Sequence, residues 1–310
     1  DLVRSRGLGD VYKRQTVVVA PVGKGPGEIG FLQMHPGELP LIAEYFTVDV
    51  HGNIYILDQV NARVVRFDPE GHFVANIPYG DAVQAPQGLA VDPEGQVYIH
   101  EAAAYRPSPP EATPTVKVFD PAGNLLRQYP APSWFVPNRL IDAIYVDDEG
   151  MLWAEGRGSY ANAPIVEGRP YLPVVAPLGN ASEAFDEERQ KAMAIPGHLL
   201  DSGGTFIIHS LSGRGPAFLY DVQGRRTYEL IGEIGPVAID AQGYWYFLED
   251  DVIGTTVIFR LHKYNKEGKR IASFDLPIGP ILVDETGAAY CMVWDRQTNT
   301  GYRLIRWQQK

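Results

Sequence analysis

Three oxygen-bearing side chains, Glu44, Gln87 and Asp142, each stand five residues ahead of an Asp-x-x-Gly turn. Carboxylate and amide oxygens are the ligands that hard cations take, so a convergent set would suit Ca2+ or Mg2+. Without an ion the same groups would be solvated polar residues at a channel mouth. Beyond those turns a second polar set recurs, Asp58, His100, Glu101, Glu155, His209, Glu249 and Asp250. Around one opening these would form an acidic rim holding His100 and His209, with His198 close by in the chain. An imidazole serves as base or ligand near neutral pH, which makes His198 and His209 the candidate catalytic bases. The same histidines could equally be structural strand residues. They show no His-x-His or His-x-x-x-His spacing, so zinc is not indicated. The sequence holds no nucleophile elbow, EF-hand loop or dinucleotide fingerprint, and GKGPGE lacks the terminal Gly-Lys-Ser/Thr of a phosphate loop.

What must position these groups is an internal repeat. Asp-x-x-Gly, followed three residues later by a large apolar residue, occurs six times, at Asp49, Asp92, Asp147, Asp201, Asp240 and Asp284. The aspartates are separated by 43, 55, 54, 39 and 44 residues, the size of a four-stranded propeller blade with loop insertions. Each is preceded by a short apolar run such as FTV, LAV or ILV, which reads as the innermost strand of a blade. An aspartate bonds its own backbone two residues on and glycine supplies a positive φ, so the spacing is hairpin chemistry and the six aspartates are expected to be structural. A second hairpin is expected at Asp68 to Gly71, Asp120 to Gly123, Ala176 to Gly179, Asp221 to Gly224 and Asn265 to Gly268. The expectation is an all-β, six-bladed propeller with four-stranded antiparallel blades. The sixth repeat lacks its last strand, and residues 16–20 (TVVVA) form a strand without a blade, so the N-terminal strand is expected to complete blade six and close the ring.

The first repeat carries the fullest signature, IYILDQVNARVVRF, with Asp58, Asn61 and Arg63 ahead of Phe67, after a GKGPGEIGF connector. This resembles the NHL-repeat family, in particular bacterial six-bladed propellers. The resemblance spans residues 16–310, strong in the first two repeats and degenerate afterwards. The second repeat has HEAAA where the Asp and Asn should stand, and the later repeats lack the Asn-x-Arg pair. The family includes both binding scaffolds and enzymes, so the resemblance implies a fold and leaves the chemistry open. The step from Glu44 to Asp49 is also similar to the first metal-ligand strand of calcium-dependent lactonases of the gluconolactonase group. That likeness would imply Glu44 as a Ca2+ ligand; the remaining ligands of that pattern have no assigned place in this sequence.

Function is sought where the repeat breaks. The third repeat inserts GRGSYANAPIVEGRPYLP and then NASEAFDEERQKAMAIPG, whose spacing predicts a helix capped by Asn180 or Ser182 and stopped by Pro196 and Gly197. AAAYRPSPPEATPT in the second repeat is too rich in proline for a strand. The connector YPAPSWFVPNR carries Trp134 and Phe135, which would either line a binding surface or be buried against a neighbouring loop. With Tyr160 and Tyr171 they are the candidate ligand-binding aromatics.

Composition narrows the partners. The chain has 310 residues and a net charge of −11, which would repel a phosphate backbone, so nucleic acid is not an expected partner. A protein, peptide or carbohydrate ligand on a monomer is expected. No apolar run is long enough for a transmembrane helix. The lone cysteine, Cys291, excludes an internal disulfide and reads as a small buried hydrophobe. Residues 1–15 share no pattern with the rest of the chain, and DVYKRQ looks like translated transposon end, so they are set apart as non-native. An extracytoplasmic location is the expectation. Two functions fit: a binding scaffold using its loop face, and a metal-dependent hydrolase, lactonase or lyase at the channel mouth.

Overall fold

The computed structural model describes residues 2–4, 11–33, 35, 39–101, 115–135, 141–147, 149–158, 172–180, 182–196, 198–199, 206–208, 217–220, 226–230, 237–253, 256–295 and 301–309. Among these the strands form six antiparallel sheets, five of four strands and one of five. The architecture is all-β, of the β-propeller class with four-stranded antiparallel blades. The chain divides into two compact units, one of Asp1–Gly80 with Pro236–Lys310, the other of Asp81–Gly235. No helix among the described residues is long and apolar enough to cross a membrane.

The first unit holds three sheets. The first sheet has strands Phe46–Val48, Ile54–Asp58, Arg63–Phe67 and Phe73–Pro78. The fifth has Ala238–Ile239, Trp245–Ile253, Thr256–Tyr264 and Arg270–Leu276. The sixth has Ile281–Val283, Ala289–Trp294 and Gly301–Gln309, and Val11–Pro21 pairs on its outer strand from Tyr12 opposite Gln309 to Pro21 opposite Gly301. Residues 16–20 therefore lie in the strand that completes this sheet. That strand begins five residues earlier, at Val11, and Leu2–Arg4 adds a fifth strand to it. Tyr12, in the segment that the sequence sets apart, is buried with its ring 5.0 Å from Phe274.

The sixth sheet explains its own composition. Tyr290, Met292, Tyr302 and Leu304 face a core shared with Ile54, Ile56, Val65 and Phe67 of the first sheet. Ala289, Cys291, Ile305 and Trp307 face a second core with Tyr246, Leu261, Phe274 and Leu276 of the fifth. Both faces are covered, so its strands read as continuous apolar runs rather than alternating ones. Cys291 is buried as a small hydrophobe, and burial pushes its thiol pKa up to about 12.

The second unit holds the second sheet (Pro86–Val91, Val97–Glu101, Thr115–Phe119, Leu125–Pro130), the third (Ile141–Val146, Met151–Gly158, Leu172–Asn180, Ile195–Pro196) and the fourth (His198–Leu199, Phe206–Ile208, Ala217–Tyr220, Arg226–Leu230). A core containing Tyr98, Val118, Ile141, Leu152 and Val174 joins the second sheet to the third.

The repeat aspartates act as brackets. In the five described cases Oδ1 accepts the backbone N–H four residues on, from Asn53, Gln96, Met151, Tyr244 and Ala288. Oδ2 accepts from the aromatic six residues on: Tyr55 at 3.2 Å, Tyr98 at 3.2 Å, Trp153 at 2.9 Å, Tyr246 at 2.9 Å and Tyr290 at 3.1 Å. The large residue after each glycine is thus both core filler and hydrogen-bond donor. Asp201 lies outside the described residues.

Two expected features differ. Turns form at Asp68, Asp120 and Asn265, each accepting the N–H of the glycine three residues on, and 221–225 lie outside the described residues. At 176–179, however, the chain continues as strand Leu172–Asn180, and the turn comes at Asn180, whose Oδ1 accepts from Ser182 and Glu183. Captured there, Asn180 cannot cap the helix. The helix is Glu187–Ala192, capped by Asp186, whose side chain accepts from the Arg189 N–H. Acidic Glu187 and Glu188 in its first turn favour that later start.

Candidate functional site

Strand alternation divides the polar set that the sequence gathers around one opening. Counting from each repeat aspartate, position nine holds Asp58, Glu101 and Glu249, whereas position eight holds His100 and Glu155. Neighbouring positions on a strand point to opposite faces, so His100 and Glu101 lie on opposite faces of the second sheet.

The carboxylates at position nine all have partners. Asp58 is buried; its Oδ1 accepts the N–H of Gly30 at 3.0 Å, and its Oδ2 accepts from Asn61 Nδ2 at 2.7 Å and Arg63 Nε at 2.9 Å. Asn61 Nδ2 also donates to Gly23 O, and the Arg63 guanidinium donates to the carbonyls of Lys24, Gly25 and Glu28. The Asp-Asn-Arg signature and the GKGPGE connector are therefore one clamp. Glu101 pairs with Lys117 and accepts the Gln84 N–H at 2.6 Å. Glu249 bonds His262 Nε2 at 2.6 Å. Its carboxyl is held below the usual carboxylate range, chiefly by that hydrogen bond and by the His262 charge.

Position eight separates the units. In the first unit it is apolar, Leu57, Leu248 and Met292. In the second it is His100 and Glu155, both buried. The residue across from it differs too. Leu57 N bonds Tyr45 O and Met292 N bonds Pro280 O, whereas His100 faces Gly88 and Glu155 faces Ala143. In the second unit each of these polar residues thus has a small residue across the strand pair, a notch in the side-chain register, where the first unit sets Tyr45 and Pro280 across from Leu57 and Met292. A Cβ added at Gly88 would sit 3.4 Å from His100 Nδ1. That nitrogen is buried without a hydrogen-bond partner, and burial lowers the His100 pKa to about 4, so the ring is neutral at pH 7. An unpartnered buried polar atom costs roughly 1–3 kcal/mol and is uncommon in a settled core. The fourth repeat carries Gly197 and His209 at the same separations from Asp201, outside the described residues.

Gln87 and Asp142 occupy matching places beside these notches. Each is the extra residue where the register shifts at the start of its strand, Gln87 between Pro86 and Gly88, Asp142 between Ile141 and Ala143. Both are exposed, and the first strands of the second and third sheets lie side by side. Glu44 is exposed and belongs to the first unit. Among the described residues no group of three or more His, Cys, Asp or Glu side chains could hold a metal ion. The oxygens of Gln87 and Asp142 are of the kind that a hard cation takes.

The aromatics resolve in favour of burial. Phe135 is fully buried and Trp134 nearly so, ring to ring at 4.9 Å, in the core between the second and third sheets. They are core residues, not an exposed binding surface, because the connector folds them inward between two sheets. Tyr160, Tyr171 and His209 lie outside the described residues, and His198 is described as a strand position alone.

Sequence reasoning missed His262 and Ser273. His262 Nδ1 lies 2.7 Å from Ser273 Oγ while its Nε2 meets Glu249, a chain across three strands. The available signal was alternation: Arg260, His262 and Tyr264 interleave with Leu261 and Lys263, and Ser273 and Asp275 with Ala272, Phe274 and Leu276.

No family model matches the chain, and no curated protein matches it. Among solved structures, a member of the DUF4221 family from Bacteroides vulgatus shares its fold at 10% identity and a TM-score of 0.50, covering 100% of this chain and 98% of that one. A gluconolactonase from Xanthomonas campestris matches at 15% identity and a TM-score of 0.45, over 96% and 100% of the two chains. A virginiamycin B lyase from Staphylococcus aureus matches at 10% and 0.43, over 94% and 99%.

Proposed function

We propose that the six sheets are the blades of one NHL-like propeller, and that the chain is a small-molecule hydrolase or lyase acting at the second-strand notches of the second unit. The carrying observation is His100: neutral, buried, with Nδ1 unpartnered beside Gly88, at a position that is apolar throughout the first unit. A neutral imidazole of that kind accepts a proton or a hydrogen bond from a ligand entering the notch. Glu155, on the neighbouring sheet at the same position, supplies a second polar contact. Gln87 and Asp142 would hold a Ca2+ that organises the ligand's oxygens. A protein or peptide ligand is less well supported, since Trp134 and Phe135 are core residues.

A panel of lactones and elimination substrates, assayed with and without Ca2+ alongside metal analysis, tests this reading. Turnover abolished by His100→Gln supports it. Saturable carbohydrate binding without turnover would replace it with a binding scaffold, and turnover indifferent to His100 would overturn the assignment of the base.

A further inference from the structure

The fifth sheet carries an arrangement independent of the His100 site. One face of strands Thr256–Tyr264 and Arg270–Leu276 buries Leu261, Ala272, Phe274 and Leu276 against the sixth sheet. The opposite face presents His262 with Ser273 directly across from it, and Phe247 on the other side of His262 in the same row. Ser273 Oγ lies 2.7 Å from His262 Nδ1, and Glu249 Oε2 lies 2.6 Å from His262 Nε2.

An ionised carboxylate only accepts hydrogen bonds, so when the His262 ring is neutral Glu249 holds its proton on Nε2. Nδ1 is then a lone pair facing the Ser273 hydroxyl. His262 itself is buried, Ser273 half-buried, and the Glu249 side chain 56% exposed. A hydroxyl held against an imidazole, which a carboxylate orients from its far side, is the geometry that activates a serine nucleophile.

We propose that Ser273, His262 and Glu249 form an acyl-transfer site for small acyl esters of phenol-like alcohols. Ser273 Oγ attacks the ester carbonyl while its proton passes to His262 Nδ1. The alcohol leaves with that proton, giving an acyl-serine and restoring neutral imidazole. Water then adds to the acyl carbon, losing a proton to Nδ1, and Ser273 departs with it as the free acid is released. Glu249 is a positioning residue, holding the ring through Nε2. Phe247 and Tyr264, whose rings meet edge-on at 5.1 Å, supply flat apolar surface on this sheet for the ester.

The test is labelling of the full chain by a fluorophosphonate probe, with peptide mass spectrometry to locate the adduct, together with p-nitrophenyl acetate hydrolysis. Wild type should be labelled at Ser273. Ser273→Ala, which removes one oxygen and leaves the strand pairing, should lose labelling, and turnover should fall by ~100-fold or more. His262→Gln, checked for native circular dichroism, should lose labelling. Glu249→Gln should keep a labelled Ser273 but shift the pH profile of its reaction. His100→Gln should leave labelling unchanged, which separates this site from the one proposed above. An unlabelled wild type, an adduct elsewhere, or Ser273 labelling that survives in folded His262→Gln overturns the proposal.

Discussion

Arg63 Nε lies 2.9 Å from Asp58 Oδ2, and both side chains are buried, at 9% and 0% side-chain exposure. The guanidinium spends its other donors on three carbonyls of residues 24–28, so the ion pair also pins the connector that precedes the first sheet. A buried pair stripped of one member leaves the other charge without compensation, which costs several kcal/mol.

Arg63→Ala should therefore destabilise the protein by about 3–5 kcal/mol. Arg63→Lys keeps the charge but cannot reach three carbonyls and a carboxylate together, and should recover part of that loss. Denaturant midpoints at constant m-value measure both, and a loss below about 1 kcal/mol for Arg63→Ala would remove the clamp from the account.

The turn aspartates should differ by burial, not by turn geometry. Asp240 is buried, accepts from Tyr246 and lies 3.5 Å from the buried ammonium of Lys263. Asp68 makes the same turn at the surface. Asp240→Ala should cost about 3–5 kcal/mol, and Asp68→Ala about 1 kcal/mol. Equal losses in chemical unfolding would show that the turn itself, and not the buried pair, carries the energy.

His100 should make stability depend on pH. Its folded pKa, about 4, lies below the ordinary histidine value of 6.5, so between those limits the unfolded chain binds a proton that the folded chain refuses. Stability contributed by the neutral ring is complete above pH 6.5 and falls as the pH drops towards 4, by an amount on the order of 3 kcal/mol. His100→Gln should flatten that segment of the stability profile, and an unchanged slope in urea titrations across that range would count against the burial of a neutral imidazole.

Much of the scaffold is legible in the residues alone. Asp-x-x-Gly at blade spacing requires hairpins because the turn is local chemistry, and the first-unit turns and the completing N-terminal strand lie where those residues place them. The signature residues Asp58, Asn61 and Arg63 are legible as a group, although their role as a clamp depends on carbonyls some 35 to 39 residues away in the chain. Spacing also brings Gln87 and Asp142 into equivalent places. What the sequence by itself determined is the repeat and the turns at its aspartates, because these depend on neighbours within a few residues. The tertiary structure alone decided which polar groups share a face, that Trp134 and Phe135 turn inward, that His100 Nδ1 lacks a partner beside Gly88, and that Ser273, His262 and Glu249 meet. Those facts depend on pairing between strands and on burial, and a side chain's protonation and reach are set by its surroundings rather than by its place in the chain.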